Sequence, residues 1–426
     1  MSINEEFLSF LWQFRLFTQS GLCCVGGEEL RIIHPGWLNT HAGPDFLQAT
    51  LEIAGTTWIG NVEIHVKASD WYLHTHDSDK KYDSVILHVV YEYDKPIFRE
   101  NRSEIPALQL KNSIDSRYKD NYQQLISARS LFPCAPQILE VDPLTITGTL
   151  VRMLSDRLER KSTEVLEQLK YYQGDWEATL YHFLARSFGF KVNAIPFELL
   201  AGSLKHSILA KHHQNAFQIE SLLFGQAGFL EDNFAEDYPA RLQNEYRFLK
   251  KKWKLKSLDV SLWKFLRMRP ASFPTVRIAQ FAALMSKSPV FFSELMHCHD
   301  VRELQRLFDT LTIPVYWQSH YTFNKESPNA HTHMGIFSVN SILINAFCVV
   351  LFSYGRHTAN TEFKSRAIRF LEAMAPESNY LVDSYRERGV LIENAFDSQA
   401  ILELNKSYCS QKKCLNCGIG VKLLKR

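Results

Sequence analysis

Hydrophobic residues change their spacing once along the chain, near residue 116. Residues 4–19 place Phe7, Leu8, Leu11, Phe14 and Leu16 near a helical repeat. Asn4 reads as the N-cap, and Glu5 and Glu6 fall in the first turn, where carboxylates suit the helix dipole. Alternation then takes over. Residues 29–33, 46–53 and 58–67 read as strands, the last two joined by a turn at 54–56. A polar segment, 69–83, precedes 84–93 (SVILHVVYEY), the most β-prone run of the chain. Residues 97–110 read as a hairpin turning around 101–103.

From 116 onward the period is helical. Asp142-Pro143 pairs a cap with a first-turn proline. Leu150, Leu154, Leu158, Val165 and Leu169 then carry one apolar stripe to Gln173-Gly174, and a second helix runs from Asp175 to Gly189. Further helices are expected over 197–224, 236–252, 258–268, 275–287, 300–311, 338–352, 362–374 and 396–408. No repeat of fixed period is present. The pattern predicts an α+β chain. Residues 1–115 form an α/β domain, 116–406 a helical domain, and 407–426 a cysteine-rich tail that docks on the domain junction.

A length of 426 residues exceeds what one compact core ordinarily holds, which agrees with two domains. The net charge of +2 gives no global positive field, so any site for nucleic acid has to be a local patch. The opening residues are acidic and do not read as a signal peptide. The most apolar run, 338–355, contains Asn340, Asn345 and three serines, and reads as a buried core helix rather than a membrane span. A cytoplasmic location is therefore expected, with the eight cysteines as thiols or metal ligands.

The chemistry concentrates on 58–67. Val62, Ile64 and Val66 share one strand face, and Glu63, His65 and Lys67 share the other. A polar strand face ordinarily meets water. Here all three residues titrate, and the preceding strand opens on Asp45, fixed behind Gly43-Pro44. Two carboxylates, Asp45 and Glu63, suit a hard cation such as Mg²⁺ or Mn²⁺. A lysine or histidine beside them can orient water or offset charge on phosphate. Asp70, His74, His76 and Asp79 follow in DWYLHTHDSD. A His-x-His pair near an Asp either ligates a transition metal or is a polar loop. Its place after the third strand puts it at the rim of the same cleft. His88, within an apolar strand, reads as a core histidine.

Over residues 5–93 this order resembles the PD-(D/E)XK nuclease superfamily, in which Pro-Asp opens the second core strand and an acid-x-Lys sits on the third. Pro44-Asp45 and Glu63…Lys67 carry the likeness. That superfamily spaces acid and lysine by two. Here they are four apart, so His65 stands either in the lysine position beside Glu63 or in the acid position beside Lys67. The resemblance implies Asp45 and Glu63 as metal ligands, Lys67 as the water- or phosphate-orienting group and His65 as an auxiliary. Glu5, Glu6 or Glu29 would supply a further acid.

The tail reads SYCSQKKCLNCGIGVKLLKR. Cys409, Cys414 and Cys417 lie close enough in sequence to ligate one centre, and thiolates select zinc or an iron–sulfur cluster. A fourth ligand is needed, and Cys134, in FPCAPQ, is the best candidate, with Cys23, Cys24 or a histidine as alternatives. A basic run, KKKWKLK, brings Lys250, Lys251, Lys252, Lys254 and Lys256 around Trp253, a composition suited to a phosphate backbone or to a solvated helix face. Across its whole length the chain is also similar to the family of unknown function DUF2851, through HPGWLNTHAGPDF, GNVEIHVKASDW, LLFGQAGFL, RPASFPTVRIAQ and the cysteine tail. That likeness brings no activity with it. Three functions follow from the sequence. The first is a metal-dependent nuclease acting on nucleic-acid phosphodiesters. The second is an inactive nuclease-like module that binds nucleic acid or protein. The third is a hydrolase of another substrate built on His65, His74 and His76.

Overall fold

The computed structural model describes residues 3–327, 330 and 332–426. The chain is α+β and divides into two units. The first comprises Met1–Thr149, Glu387–Val390 and Leu404–Arg426, and the second Leu150–Arg386 and Leu391–Glu403.

In the first unit, α1 (Glu5–Phe14) starts where the Asn4 side chain accepts the Phe7 N–H at 3.0 Å. It ends at Arg15, whose left-handed backbone stops the helix short of the expected residue 19. The strands are β1 (Leu30–His34), β2 (Trp37–Leu38), β3 (Phe46–Ile53), β4 (Thr56–Lys67), β5 (Val85–Glu92) and β6 (Ala107–Gln109). They form one mixed sheet in the order β1-β3-β4-β5-β6, with β2 also on β3. Strands β1, β3 and β4 are antiparallel; β4–β5 and β5–β6 are parallel. Ile53 pairs with Thr56 across Ala54 and Gly55, both at positive φ, which is the two-residue turn that matches strand twist.

A parallel β4–β5 pair needs a crossover. It is made of the short α2 (Asp70–Leu73) and a turn at Lys80–Tyr82. Trp71 and Tyr82 of this crossover join Ala68, Val85, Val90, Ile97 and Ile105 in a core cluster. The middle of β4 is consequently buried on both faces. Val62, Glu63, Ile64 and His65 are all at most 5% exposed, so Glu63 and His65 do not meet bulk water.

The first unit reaches past residue 115. It includes α3 (Ser116–Ser127), the segment carrying Cys134, and the start of α4 (Pro143–Tyr171). Asp142 caps α4 by accepting the Thr145 N–H at 2.9 Å. The tail returns here as well. Asn121 Nδ2 donates to the Leu423 carbonyl at 3.3 Å, and Lys422 meets Asp142 at 3.1 Å.

Among its described residues the second unit is helical, with one small hairpin, His320–Thr322 with Lys325–Glu326. The helix expected over 197–224 is three helices, Ala194–Ser203, His206–Ala210 and Ala216–Gln226, the last capped by Asn215. The helix expected over 258–268 is absent except for one turn, Val260–Leu262. Side chains hold that segment open. Trp263 donates to the Ala227 carbonyl at 2.8 Å, and Asn193 bonds both the N–H and the carbonyl of Lys264 at 2.9 Å. Ile336–His357 is, among the described residues, the one helix long and apolar enough to cross a membrane; 72% of its apolar window is buried within the protein.

Candidate metal centre

The site is assembled where β3 enters the sheet beside β4. Gly43, at φ +120°, turns the chain so that Pro44-Asp45 runs up to β4. Asn39 secures the corner, its N–H donating to the Asp45 carbonyl at 2.7 Å and its side chain to the Pro44 carbonyl at 3.0 Å. Asp45 and β4 then clasp each other. The Asp45 N–H donates to Glu63 Oε2 at 3.0 Å, and Asp45 Oδ2 accepts the Ile64 N–H at 3.0 Å. Glu63 Oε2 is thereby held by backbone, and Glu63 Oε1 is left to face the histidines.

Three imidazoles gather there. His65 Nε2 lies 3.1 Å from His74 Nδ1 and 3.6 Å from Glu63 Oε1. His76 Nε2 lies 3.3 Å from the same oxygen. The donor atoms of His65, His74 and His76 all fall within 4.8 Å of one another. Local structure explains the convergence. α2 ends at His74, Thr75 takes a left-handed conformation at φ +60°, and the His76 N–H returns to the Trp71 carbonyl at 3.0 Å. This reversal brings both histidines back over β4, with the His76 ring stacked on Tyr82 at 3.7 Å.

Burial decides the protonation states. It pushes the His65 imidazole down to about 2, helped by His88, His76 and His74, and His88 down to about 3. Both are neutral near pH 7. His65 Nδ1 sits 2.8 Å from His88 Nε2, while His88 Nδ1 is buried with no partner. Burial, then the charge of Glu63, push the Asp45 carboxyl up to about 7. Burial also raises Glu5, whose neighbours in charge are His74, Asp70, Glu63 and His76, so the first turn of α1 faces this site.

The donor set fits a four-coordinate transition metal. Metal–nitrogen bonds of about 2.0–2.1 Å in a tetrahedron place ligand atoms about 3.3–3.4 Å apart. Three of the separations, 3.1, 3.3 and 3.6 Å, lie near that spacing, and the three imidazole donor atoms all lie within 4.8 Å of one another, with Glu63 close to His65 and His76. His65 Nε2 would ligate from the tautomer protonated at Nδ1, donating to His88, the usual arrangement in which an outer partner orients a ligating histidine.

The residues expected from sequence divide clearly. Asp45, Glu63, His65, His74, His76 and, through its charge, Glu5 come together. Lys67 does not. It is exposed at the end of β4, its N–H donates to Asp70 at 2.9 Å, and its charge acts on Asp94. The alternation is obeyed, but burial stops before residue 67. Glu6 is exposed and turns to the tail, where Asn416 donates to it at 3.3 Å. Glu29 is exposed on the bridge with Cys23. Asp79 caps the turn at Lys80–Tyr82 by accepting the Lys81 N–H at 3.0 Å. His88, read as a core histidine, is the buried partner of His65. The parallel register pairs it with Glu63.

Cys134, Cys409, Cys414 and Cys417 are all buried cysteines of the first unit. Burial raises Cys134, and Cys409, Cys417 and Cys414 raise it further. The basic run lies in the second unit and is partly engaged within it. Lys250 binds Glu231 and Ser257 at 3.1 and 2.9 Å, and the Trp253 indole donates to His212 at 3.0 Å. Lys251, Lys252, Lys254 and Lys256 are exposed.

Neither curated proteins nor solved structures provide a match to the chain. Residues 5–380 do match a family model, described as protein of unknown function (DUF2851), and the chain belongs to that family.

Proposed function

We propose that the first unit is a metal-dependent hydrolase working through a transition-metal ion held by His65, His74, His76 and Glu63. The observation that carries this reading is the convergence of three imidazoles, whose donor atoms all lie within 4.8 Å of one another, with Glu63 Oε1 3.6 and 3.3 Å from His65 and His76. An ion there supplies Lewis acidity to a carbonyl or phosphoryl oxygen and to water. The protein's own groups do the rest. His65, neutral at pH 7, offers its Nε2 lone pair without a proton to displace, and neutral His88 accepts its Nδ1–H. The clasp with Asp45 fixes the direction of Glu63. Asp45, whose carboxyl is raised by burial and by the charge of Glu63, stands beside that ligand as the nearest further carboxyl.

A second reading, cleavage of nucleic-acid phosphodiesters with Mg²⁺ or Mn²⁺ at Asp45 and Glu63 as in the PD-(D/E)XK superfamily, is favoured by the contact of those two residues at one corner. The exposed Lys67 weighs against it. The deciding experiment is metal analysis of the purified chain, followed by assays on phosphodiester, phosphomonoester, ester and amide substrates and on DNA and RNA. Zinc, manganese, iron, nickel and magnesium are each supplied in turn. Hydrolysis that needs a transition metal and disappears in His74→Ala and His76→Ala supports the histidine site. Cleavage of DNA or RNA that needs only Mg²⁺ and survives both substitutions moves the function to the second reading. A chain that takes up no transition metal overturns the first.

A further inference from the structure

Four buried cysteines remain that the histidine site does not use. They arrive from distant parts of the chain. Cys134 lies between α3 and α4; the other three lie in the last turns of the tail. Each is at most 9% exposed. The tail folds as a compact knuckle. One turn spans Cys409–Gln411, Lys412 reverses the chain with φ +54°, and a second turn spans Cys414–Asn416. The Lys412 N–H donates to the Cys409 carbonyl at 3.1 Å and the Cys417 N–H to the Cys414 carbonyl at 3.3 Å. Gly420 lies against this knuckle so closely that a Cβ would come within 2.2 Å of the Cys414 carbonyl oxygen. Lys412 of the knuckle donates to the Ile126 carbonyl, so the knuckle meets the end of α3 that leads to Cys134. Burial, then Cys409, Cys417 and Cys414, raise the Cys134 thiol.

The knuckle rests on the first helix and on α3. Asn416 donates to Glu6 at 3.3 Å, and the Lys425 ammonium lies 3.3 Å over the Phe14 ring. Tyr122 of α3 stacks on Phe7 at 4.5 Å. Ordering a segment of short turns costs conformational entropy that few contacts offset. A thiolate-bound metal offsets that cost, and soft sulfur ligands select zinc or an iron–sulfur cluster over hard cations.

We propose that Cys134, Cys409, Cys414 and Cys417 form a second metal centre, a four-thiolate site for zinc or an iron–sulfur cluster, which locks the C-terminal segment onto α1 and α3. Zinc and a cluster share this ligand chemistry, and each ligand enters the site as a thiolate after loss of its proton. The centre is separate from the histidine site, and its existence does not depend on that site.

The test uses the full chain carrying His74→Ala and His76→Ala, purified without oxygen, so that metal at the histidine site does not contribute. Two results support the centre: about one equivalent of zinc in a colourless protein, or iron with acid-labile sulfide and visible absorption that bleaches on reduction. Cys134→Ala and Cys414→Ala should each lose that metal. Stripping the metal from the chain with intact cysteines should open the segment after residue 404 to protease while the remainder stays resistant. The proposal is overturned if neither metal is present and the four thiols react at once with a thiol reagent in the native protein. Full metal retention in Cys134→Ala overturns the four-ligand assignment.

Discussion

Replacing His74 by Ala separates ligation from folding, because His74 is the exposed member of the trio and His65 the buried one. Its loss should change the stability of the metal-free fold by no more than about 0.5 kcal/mol, as for a surface substitution. The metal-bound fold should respond differently. At a free metal concentration a thousandfold above the dissociation constant, binding stabilises a folded unit by about 4.1 kcal/mol. At roughly 2–4 °C per kcal/mol for a unit of 150–250 residues, the first unit should melt about 8–16 °C higher with metal than without. Removing even an outer partner of a ligand weakens metal binding about 10–100-fold, so removing a ligand should cost at least about 100-fold. At the same metal concentration the variant would keep about 1.4 kcal/mol, a rise of about 3–6 °C. Calorimetry of chelator-treated wild type and His74→Ala, each with and without zinc, measures all four quantities. Equal metal-induced shifts in the two proteins would refute ligation by His74. A metal-free variant destabilised by more than about 2 kcal/mol would show that His74 serves packing instead.

Two further outcomes follow from the same geometry. The Asp45 carboxyl is raised from its usual value to about 7, so the stability linked to its protonated form is complete below about pH 4 and is lost as pH rises through 7. Asp45→Asn, without metal, should therefore gain stability over wild type at pH 8, up to a ceiling of about 4 kcal/mol, and show little gain at pH 4. Denaturant titrations at the two pH values check this, and an equal difference at both would rule out Asp45 as the titrating group. Lys67→Ala should leave metal affinity and any metal-dependent turnover at the wild-type level, since Lys67 is exposed beyond the buried part of β4; abolished turnover would return Lys67 to the site.

Much of the first unit was legible because period-2 alternation is local information. The strand 46–53 has the bounds expected of it, and 58–67 gains only two residues at its start. What the sequence could not carry was which stretch of a face lies under cover. Glu63, His65 and Lys67 share a face by geometry, yet burial by Trp71 and Tyr82 of the crossover ends before residue 67. His88 was read as an ordinary core residue because register is not written in one strand alone. Only the parallel pairing of β4 with β5 sets it beside Glu63. His74 and His76 would have shared a face in a strand; a left-handed Thr75 brings them together by another route. The missed 258–268 segment has the same origin, since the Asn193 side chain that opens it lies far away in sequence.

The electrostatics of the corner supply the last step. The charges that act most on Asp45 are Glu63, Glu5 and His76, and those on Glu5 are His74, Asp70, Glu63 and His76. Carboxylates thus face one another with imidazoles as their partners, and the deepest imidazoles, His65 and His88, are held neutral by burial. A buried carboxylate is costly unless a positive charge or several donors compensate it. Glu63, 5% exposed, has one backbone N–H on Oε2, and its Oε1 points at histidine nitrogens. Lys67 would have supplied the missing charge had β4 been buried two residues further. With Lys67 in solvent, the proposed cation beside Glu63 and the three imidazoles would compensate Glu63 and would give the histidine lone pairs a partner.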